Sequence, residues 1–146
     1  MIYICTNCSN YTYDEAKGDK IEGISAGTMF EDIDDEFCCP SCYASKDYFL
    51  TIKEEILEPE DKNNLSYLEK VHVPKIEIIG EKCNVIVGFE EHPMIEEHYI
   101  YSIGIYDEYG DLVEEKLLAS EDLPEASFDI SDFDEFSIQA RCNQHG

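Results

Sequence analysis

The 146-residue sequence has no tryptophan, four histidines and only ten Lys+Arg against 34 Asp+Glu, giving a formal net charge of −24. The shortage of cations excludes nucleic-acid binding through a basic surface, because phosphate contacts need clustered Lys and Arg. It also disfavours attachment to anionic membranes. No apolar run approaches the roughly 20 residues of a membrane span. The stretch Met1–Cys8 lacks the basic leader and long apolar segment of a targeting signal. A cytosolic location is therefore expected. Disulfides are rare in that compartment, so the seven cysteines read as metal ligands or redox groups. Against these absences stand 43% hydrophobic and 12% aromatic residues, which argue against wholesale disorder. The length admits one ordinary domain or two small ones. In small domains an apolar core alone is marginal, and metals or disulfides usually help.

The metal-binding residue types are segregated. Cys5, Cys8, Cys38, Cys39 and Cys42 lie in the first third, whereas His72, His92, His98 and His145 all fall after residue 70, with Cys83 and Cys142. Between the two parts, residues 53–64 are polar, contain Pro59 and show no strand alternation. They read as a linker, with a short helical start as an option. The division expected is a metal-bound domain at 1–52, a linker at 53–68 and a second domain at 69–146.

In the first part, Cys5-x-x-Cys8 and Cys39-Pro40-Ser41-Cys42 form two C-x-x-C pairs. Two such knuckles facing each other build a tetrahedral S4 cage, suited to zinc or to a single iron. Spacing alone leaves the two metals open. Cys38 adjoins Cys39, and the C-P-x-C arrangement selects Cys39 as the ligand. Cys38 then reads as a small packed residue or a partly exposed thiol.

The strings Tyr3-Ile4-Cys5-Thr6-Asn7-Cys8, Tyr11-Thr12-Tyr13-Asp14, Ala26-Gly27-Thr28, Phe37 and Cys39-Pro40-Ser41-Cys42 resemble rubredoxin, the one-iron electron-transfer family. The likeness spans nearly all of residues 1–50. It implies an FeS4 site on Cys5, Cys8, Cys39 and Cys42, with zinc as a possible substitute. It also implies an aromatic core of Tyr3, Tyr11, Tyr13, Phe30, Phe37 and Phe49. The sequence departs from the family in three ways. Ser9 and Tyr43 stand where a Gly usually follows each Cys pair, the Ser9-Asn10 knuckle is one residue longer, and Phe37 replaces the usual Trp. Asn10 is the residue expected to take the positive φ that Gly would supply.

The second part alternates in the β manner. Short strands are expected around 76–78, 83–87, 99–106, 112–118, 127–130 and 136–140, separated by turn signals at Gly80-Glu81, Gly110-Asp111 and Leu123-Pro124. The fold class is therefore mainly β, with an immunoglobulin-like β-sandwich or barrel following the small metal-bound domain. All four histidines sit in loop-like contexts beside these strands. Imidazoles suit iron, zinc, copper or nickel, and one thiolate favours a softer or redox-active metal. Spacing does not choose among them.

His72-Val73-Pro74, His92-Pro93-Met94-x-Glu96-Glu97-His98-Tyr99-Ile100 and Cys142-Asn143-x-His145-Gly146 are similar to motifs of the superoxide reductase domain of the desulfoferrodoxin and neelaredoxin family. The resemblance covers residues 69–146. It implies non-haem iron with equatorial ligands His72, His92, His98 and His145, axial Cys142 and an open sixth position. It further implies one-electron reduction of superoxide to hydrogen peroxide, with the FeS4 centre as an electron relay. An NAD(P)H-dependent rubredoxin reductase as donor and a dimer or tetramer as the assembly would fit. Family members carry Glu-Lys directly before the first His, the Lys drawing in the anion and the Glu capping ferric iron. Here Glu69-Lys70 precede His72 with Val71 inserted. One reading keeps Lys70 as the pocket cation on a mobile loop; the other makes both residues linker charges. Ser102 replaces a common Trp, implying a wetter site. Glu90, Glu91, Glu96 and Glu97 read as a solvated acidic rim, Cys83 as a packed thiol and Met94 as packing beside the site. Two other functions stay open. Because superoxide is an anion and the chain is acidic, a rubredoxin-coupled peroxide reductase is one. A non-enzymatic electron carrier or redox sensor is the other.

Overall fold

A computed structural model describes residues 1–53, 55–90 and 92–146. Three short strands, β1 (Ile2–Cys5), β2 (Thr12–Asp14) and β3 (Phe49–Ile52), form an antiparallel sheet in the order β2-β1-β3. Alternation along β1 sends Tyr3 and Cys5 to one face and Ile4 to the other. On the first face Tyr3 stacks on Phe30 at 4.3 Å, and Phe49 lies 5.2 Å from Phe30 and 5.7 Å from Phe37. Cys5 and Cys39 are buried in this same aromatic cluster. The thiols are thus part of the core that holds so small a unit together.

A six-residue helix, α1 (Tyr67–His72), leads into the second part. There β4 (Pro74–Ile79), β5 (Lys82–Val87) and β8 (Glu125–Asp129) form one antiparallel sheet, ordered β4-β5-β8. The strands β6 (Ile100–Asp107), β7 (Leu112–Leu117) and β9 (Phe136–Cys142) form another, ordered β7-β6-β9. Period-two burial on β5 (Cys83, Val85, Val87) and β8 (Ala126, Phe128) meets Ile103 and Ile105 of β6, with Leu118 closing the cluster. The chain is mainly β, as expected, and each expected strand forms within a few residues of its anticipated ends. Cys83 is fully buried here.

A bulge on β6 brings the two parts together. Ile100 pairs with Cys142 and Ser102 with Arg141, so two steps on β6 match one on β9 and Tyr101 is the extra residue. A bulge re-aims its side chain. Ile100 and Ile103 consequently share the sandwich core, while Tyr101 turns outward to join Tyr99 and Ile4 in a separate buried cluster, flanked by Ile52 and Met94. Ile4 would face water in an isolated small domain, yet it is 1% exposed.

Two local expectations change. Ser9 (φ 53) and Tyr43 (φ 62), not Asn10, take the left-handed conformation. The segment before His72 is helical rather than a mobile loop. Ser66 starts α1 with a capping box: its side chain accepts from the Glu69 amide, and the Glu69 carboxylate accepts from the Ser66 amide at 2.6 Å. Val71 is the buried residue of this helix, so the inserted residue anchors α1.

Candidate metal centres

The first centre lies between two knuckles. Cys5 Sγ is 3.6 Å from Cys42 Sγ, and Cys8 Sγ is 3.8 Å from Cys39 Sγ. All four sulfurs lie within 4.8 Å of one another. The Asn10 amide points at Cys8 Sγ and the Asn7 side-chain amide at Cys42 Sγ, each at 3.4 Å. Burial pushes the Cys5 and Cys8 thiols up. At Cys42 burial also acts upward, but hydrogen bonds from Asn7 and the Ala44 backbone outweigh it and hold the thiol at about 6. Four converging sulfurs served by N–H donors fit a metal that takes thiolates. Cys38 stands apart, exposed, with its thiol directed at the Glu36 carbonyl.

The second centre is a square of imidazoles. Ring centroids are 4.6 Å apart for His72–His92, 4.7 Å for His92–His98, 4.9 Å for His98–His145 and 4.7 Å for His145–His72. Successive rings are nearly perpendicular, at 76–88°. His72 comes from the end of α1, His92 and His98 from the β5–β6 connection, and His145 from the turn after β9. Outer contacts fix the tautomers. His72 Nδ1 donates to the Leu68 carbonyl at 2.7 Å and His92 Nδ1 to the Pro93 carbonyl at 2.6 Å. Each ring therefore turns an Nε2 lone pair inward. His92 Nε2 lies 3.1 Å from His72 Nε2, and His145 Nδ1 lies 2.9 Å from it. His98 Nε2 is buried and has no hydrogen-bond partner among the described residues. Cys142 Sγ is 3.7 Å from His145 Nδ1.

The His72 and His92 Nε2 lone pairs face each other at 3.1 Å, an arrangement that calls for a cation between them, and the buried His98 nitrogen without a partner is costly. The donor set thus fits a metal held by imidazoles and one thiolate. His72, His98, His145 and Cys142 place one donor atom each within 4.8 Å of all the others; His92 joins them through its contacts with His72 and His98. Burial, with the charge of neighbouring imidazoles, holds His92 down at about 3 and lowers His98. Burial, His72 and Lys53 lower His145. Neutral imidazoles are the ligating form. Cys142 is pushed up by burial, opposed by amides of the Cys142–His145 turn and by Lys53. Asn143 braces that turn: its Oδ1 accepts from the Tyr99 amide at 2.9 Å, and its Nδ2 donates to the Glu97 carbonyl at 3.1 Å.

Around this centre, Glu69 is engaged in the capping box, which holds its carboxylate in the charged form. Lys70 is exposed and stands two residues before His72, about 200° around the helix from it. Arg141 bonds to Tyr106 and Tyr101. Glu90, Glu96 and Glu97 are exposed, and Glu91 lies outside the described residues. Met94 packs between the two apolar clusters. Ser102 is 1% exposed, and its Oγ has no hydrogen-bond partner among the described residues. No motif in the sequence marks Lys53. It lies just beyond β3, far from Cys142 in sequence, yet its positive charge acts on both Cys142 and His145.

The rubredoxin family model matches residues 2–49, and the desulfoferrodoxin family model matches residues 64–146. The chain belongs to the desulfoferrodoxin family. Its desulfoferrodoxin part is 44% identical over 75 residues to a desulfoferrodoxin homolog of Archaeoglobus fulgidus, covering 51% of this chain and 58% of that relative. The N-terminal part is 55% identical over 49 residues to rubredoxin-2 of Alcanivorax borkumensis, covering 33% of this chain and 28% of the relative. Among solved structures, the superoxide reductase from Treponema pallidum has a TM-score of 0.48 at 31% identity, over 54% of this chain and 63% of that one. The chain spans about a third of the length of the rubredoxin relatives and under three fifths of the desulfoferrodoxin homologues. The two donor clusters match two iron sites, FeS4 in the rubredoxin-like part and a histidine–cysteine site in the desulfoferrodoxin part.

Proposed function

We propose that the chain reduces superoxide to hydrogen peroxide at the histidine–cysteine iron, with the FeS4 centre relaying electrons to it. The observation that carries this reading is the square of four imidazoles with the Cys142 sulfur within 4.8 Å of donor atoms on three of them. When bound there, iron supplies the one-electron chemistry. The protein's part is orientation and charge. Neutral imidazoles add no charge to the site, and the Cys142 thiolate raises electron density at the metal. The Leu68 and Pro93 carbonyls hold two rings in the ligating tautomer. Lys70 is the residue we assign to drawing in the anion. We assign Glu69 to positioning His72 through α1, since reaching the iron would break its capping box.

A second reading, rubredoxin-coupled peroxide reduction, is favoured by the net charge of −24, which opposes anion capture. Mixing the reduced two-iron protein with pulse-generated superoxide separates the two. Rapid oxidation of the histidine–cysteine iron, with release of hydrogen peroxide, is expected. If that iron stays reduced under superoxide, while peroxide is turned over with an NAD(P)H-dependent rubredoxin reductase as donor, the second reading replaces the first.

A further inference from the structure

The two knuckles of the FeS4 centre have different surroundings. Tyr43, after Cys42, is 81% exposed. Ser9, after Cys8, is 4% exposed and reaches into the desulfoferrodoxin part. Its hydroxyl donates to the Leu118 carbonyl at 2.6 Å. That uses its single proton, so the Tyr99 hydroxyl, 3.0 Å away, must donate to Ser9 Oγ. Tyr99 is fully buried and directly precedes Ile100 of β6 and follows His98. Its amide is also held by Asn143, next to Cys142. Between the Cys8 thiolate and the His98 imidazole there are accordingly two peptide links and one hydrogen bond. Ser9 achieves this in the left-handed conformation (φ 53), where glycine would be easier for the backbone. Tyr43 takes the same conformation in the other knuckle (φ 62), so the backbone shape belongs to the knuckle, and it is the buried hydroxyl contacts that set Ser9 apart.

We propose that the Ser9–Tyr99 hydrogen bond is the route by which an electron passes, within one chain, from the FeS4 centre to the histidine–cysteine centre. This rests on the relay reading above. One electron leaves ferrous iron at the first site, which becomes ferric, and enters ferric iron at the second, which becomes ferrous. No bond forms or breaks and no proton moves. Tyr99 is a bridge and is not itself oxidised, its proton remaining on the bond to Ser9. The Ile4, Tyr99 and Tyr101 cluster keeps water from that step.

The test uses the full-length two-iron protein, oxidised and then flash-reduced by a photoexcited flavin. Recovery of the FeS4 band and loss of the ferric thiolate band at the second site report the transfer. In the unaltered protein the rate should not depend on protein concentration. A rate proportional to concentration would place the transfer between chains and overturn the route, while no transfer between the centres at all would remove the relay reading itself. Tyr99→Phe deletes one hydroxyl, and Ser9→Gly deletes the other while suiting the positive φ. Each should slow the transfer several-fold, with the double variant no slower than either alone. Unchanged rates in both variants overturn the route and leave the relay standing. Amide hydrogen exchange across Ile4 and Tyr99–Tyr101, on the zinc-loaded full chain, supplies a readout without redox chemistry. Protection should persist in both variants; its loss would make the bond a latch between the parts and would overturn the route.

Discussion

The capping box at α1 offers the sharpest separation of roles, because Ser66 and Glu69 share it while only Glu69 carries charge. The helix has six residues, under two turns, and no such helix persists alone in water. It is held by the box, by buried Val71, by the Val73 amide on the Glu69 carbonyl at 2.8 Å and by the Phe89 amide on the Lys70 carbonyl at 2.6 Å. Ser66→Ala leaves the Glu69 amide without its acceptor, a loss of about 1 kcal/mol. Because α1 presents His72 to the imidazole square, that loss should appear as about fivefold weaker metal retention at the second centre. Glu69→Gln keeps a residue that can close the box and removes the charge, so both stability and retention should stay near the unaltered values. The assay is chelator competition on the two-iron protein. The thiolate-to-iron band of the second centre is the readout, and the FeS4 band serves as the internal control. Should Glu69→Gln shed iron as readily as Ser66→Ala, the carboxylate charge would be acting at the metal and the positioning role would fail.

Three further outcomes follow from named contacts. Val71→Ala removes two buried methyl groups, so denaturant unfolding should show a loss of about 1.5 kcal/mol, and deletion of Val71 should cost more, because it rotates Lys70 and Glu69 relative to His72. Lys53→Gln removes a cation that acts on Cys142 and His145; the ferric state gains, and a redox titration should place the second centre at a lower potential with the first unchanged. In the metal-free chain, His92 is held down at about 3 from an ordinary 6.5, so the unfolded state takes up this proton first as pH falls. Stability should be full above about pH 6.5 and decline toward pH 3, by at most about 1.4 kcal/mol per pH unit from this group, and a urea midpoint that stays constant between pH 7.5 and 5 would contradict it.

Much of this molecule was legible because its chemistry is local in sequence. Two C-x-x-C pairs bring four thiols together through short knuckles, and His92-Pro93 through His98 and Cys142 through His145 each place two donors within seven residues. Strand alternation on β5 and β8 declares its inward face directly. The features that no local pattern declares depend on distant partners or on one irregular residue. Ser66-Tyr67-Leu68-Glu69 is a capping-box pattern, a signal that would have revealed α1 and the reason for Val71. Lys53 approaches the second centre only because β3 ends beside it. Strand alternation would put Tyr101 on the same face as Ile103, and only the pairing mismatch between β6 and β9 sends it to the opposite side. Ser9 reads as an imperfect substitute for glycine until Tyr99 and Leu118 are placed against it.

The charge of −24 bears on substrate through distance rather than through its sum. At physiological ionic strength the Debye length is about 8 Å, and at 0.01 M salt it is about 30 Å. In dilute buffer an incoming superoxide therefore feels carboxylates over the whole molecule. At physiological salt it feels chiefly the exposed rim of Glu90, Glu96 and Glu97 and the cations Lys70 and Lys53. Raising salt from low to physiological strength removes the distant repulsion first, because charges beyond the shorter length are screened out. Superoxide capture by the reduced protein should consequently speed up over that range, whereas reaction with neutral peroxide should stay flat. Stopped-flow oxidation of the second centre with each oxidant, across a salt series, measures both. A superoxide rate that falls with added salt would mean that the local cations, not the acidic shell, govern approach. Lys70→Ala would then decide whether Lys70 is the cation responsible.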